Sequence, residues 1–484
     1  MVAPPMMLEA DQIQGLVVRG YGELHEAWFL LLHVRDRQRA LQYLAGVANR
    51  VNRADQHPDG AALQIAFTAR GLQELAVPDE ILCSFSREFV EGMDVETRAR
   101  GLGDIGVNQP SAWRWGQRTG RQFPPIPGDD AVHALLMIYG HEDAIGDQIA
   151  DELARLTGAF AVLHQQDTVY LPDHKEHFGW RDGLSMPQIE NVPKTGQHQH
   201  RDKPTWTPPL PAGEFVLGYE NEYKCLTEVP TDIGKNGTYL VYRQYTQDVP
   251  ELWRYLERHE GVALGAKMVG RWPNGAPIIS ADHDDPTLST HNEFVYKKPD
   301  PVGLACPIGA HIRRANPRDD LASDRDDEDS TAMVRKHQMI RRGRPYGPPI
   351  SRAMDVRELA HSHDDGIERG LHFICLVGDI NRQFEVVQRN WIHSANFHGL
   401  FKDGDPISAV RQTADNPNNE FTVPADPVRK KYKTLPQFTQ LVGGAYFFLP
   451  SIAALRVIAR APASSSSSTG SGSSDPSSTH LPPQ

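Results

Sequence analysis

The feature that most constrains the fold is a recurring unit in which an apolar strand is followed by an amphipathic helix. Apolar runs at 27–34 and 132–139 each precede a helical pattern, and runs at 238–245 and 371–377 repeat this arrangement. Two such units in each half, with extra strands between them, are typical of a split βαβ topology. The sequence therefore predicts an α+β protein of two similar halves, each an antiparallel sheet with helices on one face.

The predicted boundary between the halves is a polar, proline-rich run at 191–211. We expect an N-terminal domain over residues 1–200 and a C-terminal domain over residues 201–460. The remainder, 461–484, is Ser, Gly and Pro with little to bury, which predicts a disordered tail. Residues 168–171 are predicted to form a strand, and the acidic stretch 319–330 a solvated loop.

Composition excludes several classes of partner. The chain has 484 residues and a net charge of −12, which argues against nucleic acid and against an anionic membrane surface. Its 4 cysteines have neither metal-finger nor redox-motif spacing, so we expect isolated reduced thiols. The sequence shows neither a signal peptide nor an apolar run long enough to span a bilayer, so a cytoplasmic location is expected.

One histidine in the segment 306–318 stands out as a metal ligand. His311 follows small residues and precedes Arg313, Arg314 and Arg318. A haem would match both features, because its iron binds imidazole and its propionates attract guanidinium groups. Arg313 and Arg318 are therefore predicted to bind the cofactor. The alternative from these residues alone is a histidine in a basic surface loop.

Three further segments contain residues suited to chemistry. Asp182 lies next to glycines that allow close approach to a flat ligand, and its carboxyl group could move protons; the alternative is a turn aspartate. Arg341 belongs to a cluster of three arginines that could line an anionic pocket, or form a basic surface hairpin. Asp405 could accept the second N–H of an iron-bound imidazole.

Taken together and in this order, the motifs resemble those of dye-decolourising peroxidases, in particular the larger members of that family. The resemblance runs from the N-terminal strand to about residue 460. The matching segments are Gly-x-x-Asp-Gly at 179–183, the His311 segment, Arg341 to Gly347, Arg369 to Phe373, Asp379 to Phe384, and Gly443 to Ser451.

The resemblance implies two ferredoxin-like domains and one haem b per chain, held mainly by the second domain. His311 would be the proximal ligand of the iron, and Asp405 would hold its imidazole. Asp182 and Arg341 would lie on the distal side. Two apolar side chains would form walls there: Leu371 and Phe373.

The family also implies a reaction and its partners. The expected function is a peroxidase that uses hydrogen peroxide to oxidise dyes, phenols and other aromatic reductants in one-electron steps. Tyr346 and Trp391, which lie beside family motifs, are candidates for relaying electrons, although Trp391 equally fits a core position. The sequence leaves a homo-oligomer open.

Two other functions compete with this one. The first is a haem-binding carrier or storage protein with incidental peroxide reactivity. The second is a non-haem metal protein, whose ligands would come from four histidines in polar loops: His198, His200, His361 and His363.

Overall fold

The computed structural model describes residues 7–116, 131–192, 208–321, 327–411 and 419–460. The predicted tail lies outside these residues, and so do most of the predicted domain boundary and the histidines at 198 and 200. In this part of the chain, no helix is long and apolar enough to cross a bilayer.

The described strands are β1 (Glu26–Val34), β2 (Ala61–Phe67), β3 (Ala134–Gly140), β4 (Phe160–Asp167), β5 (Thr238–Gln247), β6 (Ile340–Arg341), β7 (Arg344–Tyr346), β8 (Gly370–Val377), β9 (Glu420–Val423), β10 (Lys430–Lys433) and β11 (Thr439–Leu449). The described α-helices are α1 (Arg37–Val47), α2 (Ala69–Glu74), α3 (Asp79–Leu82), α4 (Arg87–Glu91), α5 (Glu96–Leu102), α6 (Ile145–Leu156), α7 (Val249–Glu257), α8 (Val262–Val269), α9 (His311–Ala315), α10 (Asp327–Arg335), α11 (Val356–Ala360) and α12 (Ile452–Ile458). Two π-helical segments, Ile380–Glu385 and Val387–Ile392, follow β8.

The chain is organised around one antiparallel sheet. Its strands run in the order β4-β1-β3-β2-β11-β5-β8-β6, and β7 also pairs with β8. The first half contributes β4-β1-β3-β2, and the second half contributes β11-β5-β8-β6. When the four strands of each half are numbered along the chain, both halves have the order 4-1-3-2, which is the ferredoxin-like topology. The two halves meet where Phe67 of β2 lies opposite Phe448 of β11. The predicted α+β fold with two ferredoxin-like halves is confirmed.

Alternating side chains give the sheet two apolar faces. Leu30 and Leu32 of β1 face the core that packs against α1 and α6, whereas Phe29 and Leu31 face the opposite core. Helix α7 begins directly after Asp248, whose side chain caps it by accepting the N–H of Glu251.

Two local predictions are wrong. Residues 168–171 do not form a strand, because β4 is a single strand that ends at Asp167. The acidic stretch is only partly a solvated loop. Asp319 and Asp320 are buried, and α10 occupies its second part.

Candidate active site

His311 begins the short helix α9, and a buried carboxylate holds its ring. Its Nδ1 lies 2.8 Å from Oδ2 of Asp405, while 37% of the His311 side chain is exposed. The other oxygen of Asp405 accepts the backbone N–H groups of Ile407 and Ser408. Burial alone would raise the pKa of Asp405, but the charge and hydrogen bond of His311 outweigh it and hold that pKa well below its usual range.

The second ring nitrogen of His311, Nε2, is the one left for a ligand. Among the described residues, no hydrogen bond involves Nε2. Burial lowers the pKa of His311 and Asp405 raises it, with a net upward shift; smaller effects come from the charges of Arg341 and Asp182. The charges of these two residues act on His311 in opposite directions, so each of them lies within electrostatic range of His311.

The loop that carries Asp182 is shaped by glycine and by one carboxylate. Gly179 has a φ of +101°, and a Cβ there would lie 2.6 Å from Cδ1 of Leu359, so only glycine fits. The Glu176 carboxylate accepts the N–H of Phe178 at 2.9 Å and that of Trp180 at 3.0 Å. These contacts hold the turn that precedes Asp182.

Asp182 itself is exposed at the end of this loop. Its backbone N–H donates to the carbonyl of His174, and its Oδ1 accepts the N–H of Gly183 at 2.6 Å. The other carboxylate oxygen makes no hydrogen bond within the described chain, which leaves it able to accept a proton.

The three arginines of the segment 339–347 have different roles. Arg342 donates to the carbonyls of Leu16 and Val17, and Arg344 donates to that of Leu24, so both anchor the N-terminal segment. The guanidinium of Arg341, on β6, makes neither a hydrogen bond nor an ion pair within the described ranges. Arg341 is therefore the arginine of this cluster that can act on a ligand.

Leu371 and Phe373 lie two residues apart on β8, so both point to the same face of the sheet. Both are only partly buried, unlike the strand residues that follow them. His372, between them, points to the opposite face. This arrangement gives two adjacent apolar side chains on the side of the sheet that also packs against Phe384.

The guanidinium of Arg313, which was predicted to bind the cofactor, is occupied by protein partners. All five of its N–H groups donate to protein, namely to the side chains of Asp300 and Asp320 and to the carbonyls of Asp300 and Cys306. Arg313 is buried and has no donor left for a cofactor. Its role here is to tie the segment before His311 to the segment after it.

Arg318 is also buried, and it donates to the carbonyls of Asn292 and Phe294. Its guanidinium lies 3.7 Å from the centre of the Phe294 ring. These contacts anchor Arg318 in the protein, so its expected contact with a propionate gains no support from them.

Sequence reasoning missed Arg271, which is only 5% exposed. It donates to the carbonyls of Gly275 and His291 and to the side chain of Asn292, but to no carboxylate among the described residues. Burial lowers its pKa to about 9, and the charges of Arg318 and Arg341 act in the same direction. The segment 271–275 alone does not reveal these surroundings, because two of the three partners of Arg271 lie about twenty residues away, at His291 and Asn292.

The residues present fit a haem. His311 has one nitrogen available for a metal, and Arg271 is a buried cation that lacks an acidic partner in the described structure. The described residues contain no group of three or more His, Cys, Asp or Glu that could hold a metal ion without such a cofactor. His361 and His363 therefore form no such site there.

The two relay candidates lie in different surroundings. Tyr346 lines a cavity of about 330 Å³ and stacks on His372 with ring centres 4.6 Å apart. Trp391 is buried in a small core with Val334 and Phe397, and its ring lies 5.2 Å from that of His337.

Known proteins similar to this chain point to one family. Peroxidase 2 of Mycetinis scorodonius is 31% identical over 442 residues, which cover 83% of this chain and 80% of that protein. A dye-decolorizing peroxidase of Mycena epipterygia is 29% identical over 513 residues, covering 94% and 88%. The solved structure of a dye-decolorizing peroxidase in complex with 2,6-dimethoxyphenol has a TM-score of 0.72 and 26% identity, covering 94% of this chain and 100% of that chain. No protein-family profile matches.

The likeness extends over 80% or more of the length of each of these relatives and agrees with the sheet topology. It also agrees with a histidine that offers one nitrogen to a metal. The chain therefore belongs to the dye-decolourising peroxidase family and is a haem-dependent peroxidase.

Proposed function

We propose that this protein binds one haem b through His311 and uses hydrogen peroxide to oxidise dyes and phenolic compounds in one-electron steps. Support for the substrate class comes from the names of its relatives and from the solved complex with 2,6-dimethoxyphenol. When bound, the haem would supply an iron that reacts with peroxide and stores the oxidising equivalents.

His311 would hold the iron through Nε2, because Nδ1 is committed to Asp405. A carboxylate that accepts the Nδ1 proton fixes the tautomer and the ring orientation, and makes the imidazole a stronger donor. Asp405 suits this role because it is fully buried and ionised, and its remaining oxygen is held by backbone N–H groups.

Asp182 would move the proton of the peroxide from one oxygen to the other, acting first as base and then as acid. Arg341 would stabilise the negative charge that develops on the peroxide. Support for this pairing comes from the charges of both residues, each of which acts on His311. The Arg341 guanidinium also has neither a hydrogen bond nor an ion pair within the described residues.

Two other sets of residues would complete the site. Leu371 and Phe373 would exclude water from the space beside Asp182, which strengthens the electrostatic interactions there. Arg271 would face the haem carboxylates as a buried cation. It would take the role that was expected of Arg313, whose N–H groups all donate to protein. Tyr346 and Trp391 remain proposed relays for substrates too large to enter.

The observation that carries the proposal is the hydrogen bond between His311 and the buried Asp405. The test is the absorption spectrum of haem-loaded protein before and after one equivalent of peroxide. His311→Ala should lose the Soret band of ligated haem and the peroxide response, whereas His361→Ala, which changes an exposed histidine, should keep both.

An unchanged spectrum and turnover in His311→Ala would rule out this ligand assignment. Steady-state turnover with excess peroxide separates an enzyme from a haem carrier, because a carrier would bind haem but consume little peroxide.

A further inference from the structure

A tyrosine and a histidine form a buried pair on the face of the sheet opposite Phe373. Tyr242 of β5 and His372 of β8 are both 0% exposed, and the Tyr242 hydroxyl lies 2.9 Å from Nδ1 of His372. Nε2 of His372 lies 3.3 Å from the carbonyl of Asp167. Because a carbonyl can only accept, Nε2 carries the hydrogen and Nδ1 presents a lone pair. The hydroxyl of Tyr242 therefore donates to His372.

Other aromatic rings connect this pair to a surface cavity. The His372 ring stacks on Tyr346 at 4.6 Å between centres, and the Tyr242 ring lies 4.8 Å from that of Trp115. Trp115 and Tyr346 both line the cavity of about 330 Å³, together with Arg114. On the other side, His372 is flanked in β8 by Leu371 and Phe373, the proposed walls of the peroxide site.

Burial makes the pair suited to proton-coupled oxidation. Burial raises the pKa of Tyr242 well above its ordinary value and lowers that of His372 to about 3. At rest, both partners are therefore neutral. A phenol that loses an electron becomes a far stronger acid, and a buried site penalises the resulting cation unless the proton can leave. Here the acceptor is already hydrogen-bonded to the hydroxyl.

We propose that Tyr242 and His372 form a proton-coupled redox pair that stores one oxidising equivalent produced by the peroxidase reaction. Tyr242 gives one electron to the oxidised site and its phenolic proton to Nδ1 of His372. The products are a neutral tyrosyl radical and an imidazolium. An electron from a reductant in the cavity, passed through Trp115 or Tyr346, returns the radical to phenolate, which takes the proton back. The inference rests on the proposed peroxidase function.

The test is electron paramagnetic resonance of the haem-loaded protein, frozen after addition of hydrogen peroxide without a reducing substrate. The parent protein should give a tyrosyl signal that changes when ring-deuterated tyrosine is incorporated, with a proton coupling that disappears in D₂O. Tyr242→Phe should lose this signal. His372→Phe, which keeps an aromatic ring, should lose most of it although Tyr242 is still present.

Tyr139→Phe is the matched control, because Tyr139 is buried on the same face and its hydroxyl contacts Met137 rather than a base. It should leave the signal unchanged. A full signal in Tyr242→Phe would overturn the proposal. So would an undiminished Tyr242 signal in His372→Phe, or a parent radical without an exchangeable proton coupling. If His372→Phe fails to fold, the exchangeable proton coupling in the parent decides the question.

The peroxide-induced change in the absorption spectrum is recorded on the same samples. If it is absent in the parent, the peroxidase function fails; if it is present without the signal, only this inference fails.

Discussion

Arginines near His311 differ in how many of their N–H groups are already used, and this difference separates structural from functional side chains. Arg313 donates five hydrogen bonds to protein, including charged ones to Asp300 and Asp320. None of its N–H groups is left to bind a ligand. The guanidinium of Arg341 has no such partner in the described ranges. Arg341 is half-buried, and a cation without a protein partner at a site is suited to an anionic ligand or transition state.

The proposed proton transfer can be tested at the residue that performs it. Asp182→Asn keeps the size of the side chain and its hydrogen bond with Gly183 but removes the base. We expect the second-order rate of reaction with peroxide to fall by about 10²-fold or more, the usual contribution of a positioned acid–base group. Stopped-flow absorption of the haem-loaded protein measures this rate.

The control is Asp173→Asn, which changes an exposed aspartate with a φ of +58° in the same loop; asparagine accepts this conformation, so the rate should not change. A rate in Asp182→Asn equal to that of the parent would exclude Asp182 as the base.

At the scale of elements, sequence periodicity predicted β1, β3, β5 and β8 but missed β2 and β11. The missed strands lack a long continuous run of large apolar residues, because Gln64 and several alanines interrupt β2, and Gln440, Gly443 and Gly444 interrupt β11. The prediction of a solvated loop at 319–330 was only partly correct, because contacts with other segments bury Asp319 and Asp320. Asp320 is buried because it meets Arg313, and Asp319 because it accepts the N–H of Tyr296. Such pairings join distant segments, so composition alone cannot reveal them. The site motifs were recognisable because their glycines, histidine and aspartate are local.

The loop 172–183 should give a pH-dependent contribution to stability through Glu176. Desolvation raises the pKa of Glu176 from 4.5 to about 7, against the opposing effect of its hydrogen bonds. Between these two values the folded protein holds a proton that the unfolded chain has released, so the free energy of unfolding decreases as the pH rises through this interval. Glu176→Gln should remove this pH dependence. In the parent, the free energy of unfolding should fall by no more than about 3 kcal/mol over the interval because of Glu176.

Denaturant unfolding of parent and variant at several pH values within the interval measures the difference. Glu190→Gln, at an exposed position, should leave the slope unchanged. Parallel pH profiles for the parent and Glu176→Gln would contradict a raised pKa at Glu176.

At the scale of the whole molecule, the two halves form one sheet although each has a complete ferredoxin-like strand order. Their junction is short in hydrogen-bonded length, with Phe67 opposite Phe448. Packing reinforces it, because the Phe448 ring lies 5.0 Å from that of Phe85 and 6.4 Å from that of Tyr239. The core on this face includes residues of both halves, among them Leu44 of α1 and Leu455 of α12. We therefore expect the halves to unfold together.

Phe448→Ala tests this cooperativity, because Phe448 is buried at the junction and the substitution leaves a cavity there. The expected loss is about 3–5 kcal/mol in the free energy of unfolding. Hydrogen exchange followed by mass spectrometry should show equal loss of protection for peptides from β1, in the first half, and β8, in the second. Phe448→Leu retains most of the apolar volume and should cause a much smaller loss in both. If protection fell in β8 while β1 kept that of the parent, the halves would be independent folding units, and the continuous sheet would not couple the N-terminal half to the haem site.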